Sequence, residues 1–227
     1  MLLNISNINF ASFALPAIGS LLLAYLLGSV NFAIIFTKIF IKDDIRNHGS
    51  GNAGMTNVMR VVGVLPGLLT FVFDALKGFA ACFIGKMIFS HLHTVTENPF
   101  FLAIYGAFIC GVACMLGHVF PLFFGFKGGK GVAVSVGIFA VCCPTAIVSG
   151  LVLFGILLAT VKVMSISSLT ATVVVVGASL IFYDKSALFW PQAVCAVIMG
   201  AIVFLKHKDN IVRLVRGEEN KFTIKKG

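Results

Sequence analysis

Three polar segments interrupt a chain that is otherwise dominated by apolar side chains: residues 49–60, 117–131 and 207–221. Each combines glycines or side-chain amides with basic residues, and such segments bind anions through backbone N–H groups and cationic side chains. Polar backbone and cations are costly beside a bilayer. We therefore expect the three segments to hold a negatively charged small molecule.

The first polar segment is the densest in glycine, with Gly49, Gly51 and Gly54 inside six residues. Glycines at this density allow positive φ angles, which turn successive N–H groups toward one point. Further donors follow on Ser50, Thr56, Asn57 and Arg60, and a guanidinium grips phosphate through two parallel bonds. The alternative is an ordinary solvated turn, since Gly and Asn are common turn residues.

The second polar segment contains Lys127-Gly128-Gly129-Lys130-Gly131 directly before a short apolar stretch. A helix that starts there presents free N–H groups and the positive end of its dipole to the loop, which suits a phosphate. No Ser or Thr follows Lys130, so the loop is not a nucleotide-binding Walker A motif. The alternative is a simple basic anchor at the membrane surface.

The third polar segment places His207 and Asn210 at helical spacing, with Arg213 or Leu214 following. We expect the first two on one face, able to hydrogen-bond a phosphate or a hydroxyl, and a helix C-cap at Gly217. A basic tail bound to anionic lipid is the alternative. It explains the terminal lysines but not the His and Asn.

The elements that must position these segments are apolar helices, because 59% of the residues are hydrophobic, 11% are charged and the mean hydropathy is +1.05. This composition predicts an all-α polytopic membrane protein. We expect one domain, residues 1–227, with cytoplasmic loops at 41–63 and 117–131 and a C-terminal tail at 206–227. Apolar runs of spanning length cover residues 13–40, 64–90, 99–117, 144–161, 168–183 and 187–205, and a shorter one covers 132–143.

Charge asymmetry predicts seven transmembrane helices, the fourth being short, with the N-terminus outside and the C-terminus cytoplasmic. In that topology 14 of the 17 Lys and Arg residues lie on the cytoplasmic side, leaving Lys77, Lys86 and Lys185. If the short run does not cross, either the second and third polar segments lie on opposite faces or the chain re-enters at Pro144. The first apolar run is too long for a removable signal peptide.

Several other kinds of chemistry are not indicated. The six cysteines lie in or beside apolar runs and lack metal-ligand spacing, so we expect inert packing residues, no metal site and no cofactor. The +9 charge is spread over short loops, which argues against nucleic acid as a partner. Asp74 and Lys77, three residues apart in an apolar run, predict a buried salt bridge. His118 is expected to be structural.

The chain resembles the bacterial membrane glycerol-3-phosphate acyltransferases that use acyl-phosphate as donor. Three blocks carry the resemblance: Gly28-Ser29 with Asp44-Ile45-Arg46 and GSGNAGMTNVMR at 49–60, GHVFPLFFGFKGGKGVAV at 117–134, and KHKDNIVRLVRGEE at 206–219. The resemblance implies an inner-membrane enzyme whose site faces the cytoplasm and makes lysophosphatidic acid and phosphate from glycerol 3-phosphate and acyl-phosphate. It implies no acyl-CoA or acyl-carrier-protein donor, no metal and no cofactor. Membrane lipid and a functional link to the soluble enzyme that makes acyl-phosphate are the expected partners.

The resemblance also assigns residues. It implies catalytic roles for Lys130, His207 and Asn210. It implies substrate binding by Ser29, Arg46, Ser50, Gly51, Asn52, Gly54, Thr56, Asn57, Arg60, Lys127, Gly128, Gly129, Gly131, Arg213 and Glu218. Asn31, Met55 and Val134 depart from the family pattern.

The expected mechanism is alignment and charge stabilisation of an already activated donor. No His has an Asp five positions later and no Ser/His/Asp triad is visible. We expect a phosphate oxygen of the bound substrate to take the hydroxyl proton while His207 orients the substrate, with His207 as base being the alternative. A small-phosphate transporter or channel and a lipid-binding membrane protein are the competing function classes.

Overall fold

A computed structural model describes residues 10–182 and 189–222. In this part of the chain the secondary structure is helical, with short 3-10 turns at Ile45–Asn47, Pro99–Phe101 and Leu122–Phe124. The helices are α1 Phe10–Ser29, α2 Phe32–Ile41, α3 Met55–Val61, α4 Val64–Thr96, α5 Ala103–Val119, α6 Val132–Cys142, α7 Pro144–Thr160, α8 Met164–Phe182, α9 Phe189–Lys206 and α10 Lys208–Val215.

The helices are apolar on their outward faces as well as inside, which is what a lipid environment requires. Leu15 and Trp190, for example, are 68% and 71% exposed. Within the described residues four helical segments are long and apolar enough to cross a membrane: Phe13–Ile41, Val64–Thr96, Ala103–Phe124 and Met164–Phe182. The α9–α10 pair is a fifth candidate, bent by 58°, while α6 and α7 are shorter apolar helices. The prediction of an all-helical membrane protein is confirmed.

The first apolar run is broken where α1 meets α2, and a buried charge holds the break. Lys77 Nζ donates to the carbonyls of Gly28 at 2.9 Å and Val30 at 2.6 Å, and it pairs with Asp74 at 2.9 Å. Both charged residues are at most 3% exposed. The predicted salt bridge is therefore confirmed. The Lys77 ammonium also satisfies the two carbonyls that the helix break leaves without helical partners.

Glycines let the central helices approach closely. A Cβ at Gly28 would lie 2.0 Å from the Cys114 carbonyl oxygen, and one at Gly117 would lie 2.1 Å from that of Tyr25, so α1 and α5 meet backbone to backbone. Gly137 brings α6 equally close to Ala75 on α4. In lipid no hydrophobic effect brings helices together, so the close packing that small residues allow stabilises such contacts instead. The compact group α1, α4, α5 and α6 forms the frame on which the polar segments rest.

Candidate active site

One cleft, of about 1050 Å³, receives residues from all three polar segments. It brings together most of the residues singled out from the sequence. These are Ser50, Gly51, Asn52, Gly54, Thr56, Asn57, Arg60, Gly128, Lys130, Gly131, His207, Asn210 and Arg213. Segments separated by more than 140 residues in sequence thus line one cleft.

Asn57 organises the first polar segment from within. Its side chain is 1% exposed; Oδ1 accepts from the Ser50 N–H at 3.0 Å, and the amide donates to the carbonyl of His48 at 2.9 Å. It also reaches the carbonyls of Ile45 and Asn52. Since the amide has two N–H groups and both are spent on backbone, Asn57 shapes the loop and has no spare donor for a ligand.

Gly49 shows why the loop needs glycine. Its φ is +58°, and a Cβ there would lie 2.2 Å from Asn57 Oδ1. After this loop, α3 carries Arg60 into the cleft. Within the described residues no ion-pair or hydrogen-bond partner is found for its guanidinium, which leaves that cation available to an anion.

The second polar segment delivers the start of α6 to the cleft. Gly131, with φ of +88°, precedes Val132, and no side chain caps this helix. Gly131, Val132 and Ala133 all line the cleft. The uncapped N–H groups of an eleven-residue helix and its dipole make a site for a phosphate.

Gly128 and Gly129, for which the resemblance implies substrate binding, make contacts within the protein. Their N–H groups donate to the carbonyls of Val119 and His118, each at 3.2 Å. A Cβ on Gly128 would lie 2.0 Å from the His118 carbonyl oxygen, and one on Gly129 2.2 Å from His118 Nε2. Because they lack side chains, these two glycines let the loop lie directly against the end of α5, and this contact positions Lys130.

Lys130 joins the second polar segment to the third by donating from Nζ to Asn210 Oδ1. Burial lowers the pKa of Lys130 to about 8, although the negative charge of Glu219 opposes the shift. The ammonium is therefore still mostly protonated at neutral pH, and it is less hydrated than a surface lysine.

A carboxylate fixes the third polar segment. Glu219 Oε1 accepts from Asn210 Nδ2 at 2.7 Å and from Ser165 at 3.1 Å, and Oε2 accepts from Arg213 Nε at 2.8 Å. Burial raises the pKa of Glu219, but the hydrogen bonds from Asn210, Arg213 and Ser165 outweigh it and leave the pKa below its usual value. By fixing the Asn210 amide, Glu219 directs Oδ1 of that amide to Lys130.

His207 stands at the bend between α9 and α10 instead of inside one continuous helix. It is 3% exposed, and Nδ1 bonds the Val203 carbonyl at 2.8 Å. A carbonyl can only accept, so Nδ1 carries a proton and Nε2 is the nitrogen left for a ligand. Asn210 lies one turn further on, in α10, and both residues line the cleft. Gly217, with φ of +70°, follows the end of α10 as expected.

Five residues singled out from the sequence lie outside the cleft lining: Ser29, Arg46, Lys127, Gly129 and Glu218. Arg46 pairs with Asp44 at 2.8 Å and donates to the Phe124 carbonyl at 2.6 Å, which ties the first polar segment to the second. Ser29 donates to the Tyr25 carbonyl and accepts from the Leu122 N–H. Glu218 is exposed. Sequence reasoning missed Glu219, because no helical period continues past Gly217 to show which carboxylate turns inward.

The departures from the family pattern leave the ligand groups in place. Met55 lines the cleft at the start of α3. Val134 is fully buried against Gly78 of α4, and Ser135 donates to the Gly131 carbonyl at 2.9 Å. The Ser135 hydroxyl is therefore spent on its own helix. Asn31 caps α2 through a bond from the Ile34 N–H.

The cleft is chemically divided. Beyond the polar end its walls are apolar and come from α4, α6, α7 and α9: Leu68, Phe71, Val136, Leu151, Phe154 and Leu205. Asp74 and His118 also reach it, and the His118 ring bonds Lys77 at 3.1 Å. Such a cleft accommodates a molecule with an anionic head and a hydrocarbon tail next to a small phosphorylated molecule.

Comparison with known families matches residues 18–217 to the family described as Glycerol-3-phosphate acyltransferase. The chain belongs to the glycerol-3-phosphate acyltransferase family. Its members are acyltransferases, and this chain is an integral membrane enzyme of that class. The resemblance in the three sequence blocks is thereby confirmed.

Individual acyltransferases agree with the family match. "Glycerol-3-phosphate acyltransferase 2" of Bacillus anthracis is 40% identical over 202 residues, covering 89% of this chain and 97% of the relative. The Finegoldia magna acyltransferase is 34% identical, covering 88% and 93%. A crystal structure described as PlsY (YgiH), an integral membrane glycerol 3-phosphate acyltransferase in its glycerol 3-phosphate form, superposes with a TM-score of 0.76 at 34% identity, covering 91% of this chain and 96% of that one. Its lysophosphatidic acid form gives a TM-score of 0.73, covering 91% and 95%.

Proposed function

We propose that this acyltransferase joins the acyl group of acyl-phosphate to a hydroxyl of sn-glycerol 3-phosphate. The ester C–O bond forms, the C–O bond between the carbonyl carbon and the donor phosphate breaks, and lysophosphatidic acid and inorganic phosphate leave. The observation that carries the proposal is the divided cleft, in which Arg60, Lys130 and the start of α6 face the same space as the apolar walls of α4, α6 and α7.

The roles follow from the chemistry of the side chains. Arg60, Lys130 and the free N–H groups of α6 bind the two phosphates and stabilise the charge that develops on the donor phosphate as it leaves. Asn210 and His207 orient the glycerol part by hydrogen bonds. Because a mixed anhydride is already activated, holding the reactants together supplies much of the rate.

The hydroxyl proton passes to a phosphate oxygen of glycerol 3-phosphate, whose second pKa of about 6 leaves it a dianion at neutral pH. His207 then acts as a positioning residue. A His207→Gln enzyme retains a hydrogen-bonding group at this place, so we expect a reduced kcat with an unchanged pH profile. Near-complete loss of turnover together with a shifted pH profile would make His207 the base and refute this assignment.

We propose seven membrane crossings, with the cleft at the cytoplasmic face of the bacterial inner membrane and one domain spanning residues 1–227. Contacts between loops support it. Arg46 reaches the Phe124 carbonyl, Lys130 reaches Asn210, and the Phe222 N–H bonds the Lys162 carbonyl at 2.6 Å, so the four loops that contain these residues meet at one end. The intervening helices then alternate in direction: α4 leaves this end and α5 returns, α6 leaves and α7 returns, α8 leaves and α9 returns.

Helix α6 is the short crossing in this topology. Its eleven residues cover about 16 Å at 1.5 Å per residue, roughly half of a hydrocarbon core. The rest of the crossing then needs non-helical backbone, which a membrane tolerates where that backbone lines a cavity or is buried in protein. Gly128, Lys130 and Gly131, directly before α6, line the cleft.

A direct assay tests the function. Purified protein in detergent receives acyl-phosphate and labelled glycerol 3-phosphate, in parallel with acyl-CoA as a control donor and with an Arg60→Gln protein as a control enzyme. We expect labelled lysophosphatidic acid from acyl-phosphate alone and a strong reduction in the variant. Product from acyl-CoA would refute the donor, and uptake of label into vesicles without product would refute the enzyme in favour of a transporter. The donor is expected to come from a soluble cytoplasmic enzyme.

A further inference from the structure

A second, smaller cavity of about 50 Å³ lies beside the cleft, between α6, α7, α8 and α9. Four residues line both spaces: Val132, Val136, Leu151 and Phe154. The small cavity, which we call the end pocket, therefore adjoins the apolar half of the cleft.

The walls of the end pocket are apolar and present no free hydrogen-bond donor to water. They consist mainly of aliphatic and aromatic side chains, among them Phe139, Ile147, Val175 and Met199. Two hydroxyls belong to the lining, and both are spent on their own helices: Ser135 donates to the Gly131 carbonyl at 2.9 Å, and Thr172 donates to the Ser168 carbonyl at 2.8 Å. A space of this kind stays dry and takes a hydrocarbon.

Two glycines bring α7 and α9 into close contact with α8 beside the end pocket. A Cβ on Gly200 of α9 would lie 2.9 Å from Val176 Cγ2 and 3.8 Å from Thr172 Cγ2, and a Cβ on Gly150 of α7 would lie 2.3 Å from Val175 Cγ2. A side chain at either position would overlap a valine of α8, so these two contacts bound the pocket. Gly200 is seven residues before His207 in sequence, which corresponds to about 10 Å along α9 from the polar end.

We propose that the end pocket receives the terminal methylenes of the donor's acyl chain, and that Gly200, opposite Val176, sets the longest chain that reacts efficiently. The proposal rests on the proposed function, since it takes the hydrocarbon in the cleft to be that of the donor. It assigns chain-length selection to one contact between α8 and α9, distant from the groups that bind phosphate.

The test compares kcat/KM over a series of acyl-phosphates of increasing chain length. Gly200→Leu adds side-chain volume at the wall of the pocket beside Val176, so the preferred chain becomes shorter. Exclusion of two methylenes lowers kcat/KM for the longest substrates by about tenfold or more, while short donors and the KM for glycerol 3-phosphate are unaffected. Val176→Ala enlarges the pocket and shifts the preference to longer chains.

Gly177→Leu is the matched control, because Gly177 lies next to Val176 on α8, has no atom within 4 Å of its Cβ position and is outside the pocket lining. We expect it to keep the wild-type profile. An equal loss at every chain length in Gly200→Leu, an unmoved preference in Val176→Ala, or a shift in the control would overturn the proposal. If the wild-type enzyme instead requires another acyl donor, the proposed donor is refuted, and the same variants report on the pocket with a length series of that donor.

Discussion

Replacing Asn57 by Ala removes the side chain that holds the first polar segment in shape. The amide supplies two N–H donors and one oxygen acceptor to the backbone of His48, Ser50 and neighbouring residues. At about 1 kcal/mol net for each bond, the folded loop loses about 3 kcal/mol. If binding of glycerol 3-phosphate must then restore the loop, this cost raises its KM by about 100-fold, since 1.4 kcal/mol is tenfold.

Two measurements identify the cause. Steady-state kinetics give the KM for glycerol 3-phosphate, and hydrogen exchange in detergent reports the Ser50 N–H, which bonds Asn57 Oδ1 at 3.0 Å. We expect faster exchange across residues 47–57 together with the higher KM. Asn47→Ala is the control, because the Asn47 amide reaches only the exposed Asp43 carboxylate at 3.2 Å. A higher KM with unchanged exchange would refute the reasoning and make Asn57 a direct ligand.

Two further variants probe the link between the second and third polar segments. With a pKa of about 8, Lys130 is cationic below that pH and loses its charge as the pH rises through it, so kcat/KM for glycerol 3-phosphate falls above pH 8. In Lys130→Arg, whose guanidinium stays protonated, the falling limb moves to higher pH; a limb that stays in place assigns it to another group. Glu219→Gln weakens charge-assisted bonds to Asn210 and Arg213, so we expect kcat to fall by about tenfold or more. Glu218 is exposed, and Glu218→Gln is expected to keep a kcat near that of the wild type. Equal effects of the two variants on kcat would contradict the inward role of Glu219.

Hydropathy predicted the helical elements well, because length and apolarity are what lipid demands of a helix. Each apolar run contains a helix, and the Asp74–Lys77 pair follows from the cost of a lone charge in that setting. The bend of 58° at His207 was not predicted, since its flanking residues continue an acceptable helical pattern.

The residues of the site were less predictable than the place of the site. Composition marks which segments are polar, and all three line the cleft. It does not distinguish a side chain that binds an anion from one that holds the loops in place. Arg46 bonds Asp44 and backbone carbonyls, and Asn57 bonds the backbone of its own loop. Those assignments depend on distances across loops, for which sequence spacing carries no signal.

The central claim is that the three polar segments form one substrate site on the cytoplasmic face. Single cysteines at Ser50 in the first segment, Ala133 directly after the second and Lys208 in the third, all of which line the cleft, can be labelled with a membrane-impermeant maleimide. The wild-type chain provides the background, since its described thiols are buried or partly so. We predict labelling of all three in inverted vesicles only, with joint protection by glycerol 3-phosphate. Labelling of any of them from outside intact cells, or protection confined to one segment, would contradict the account.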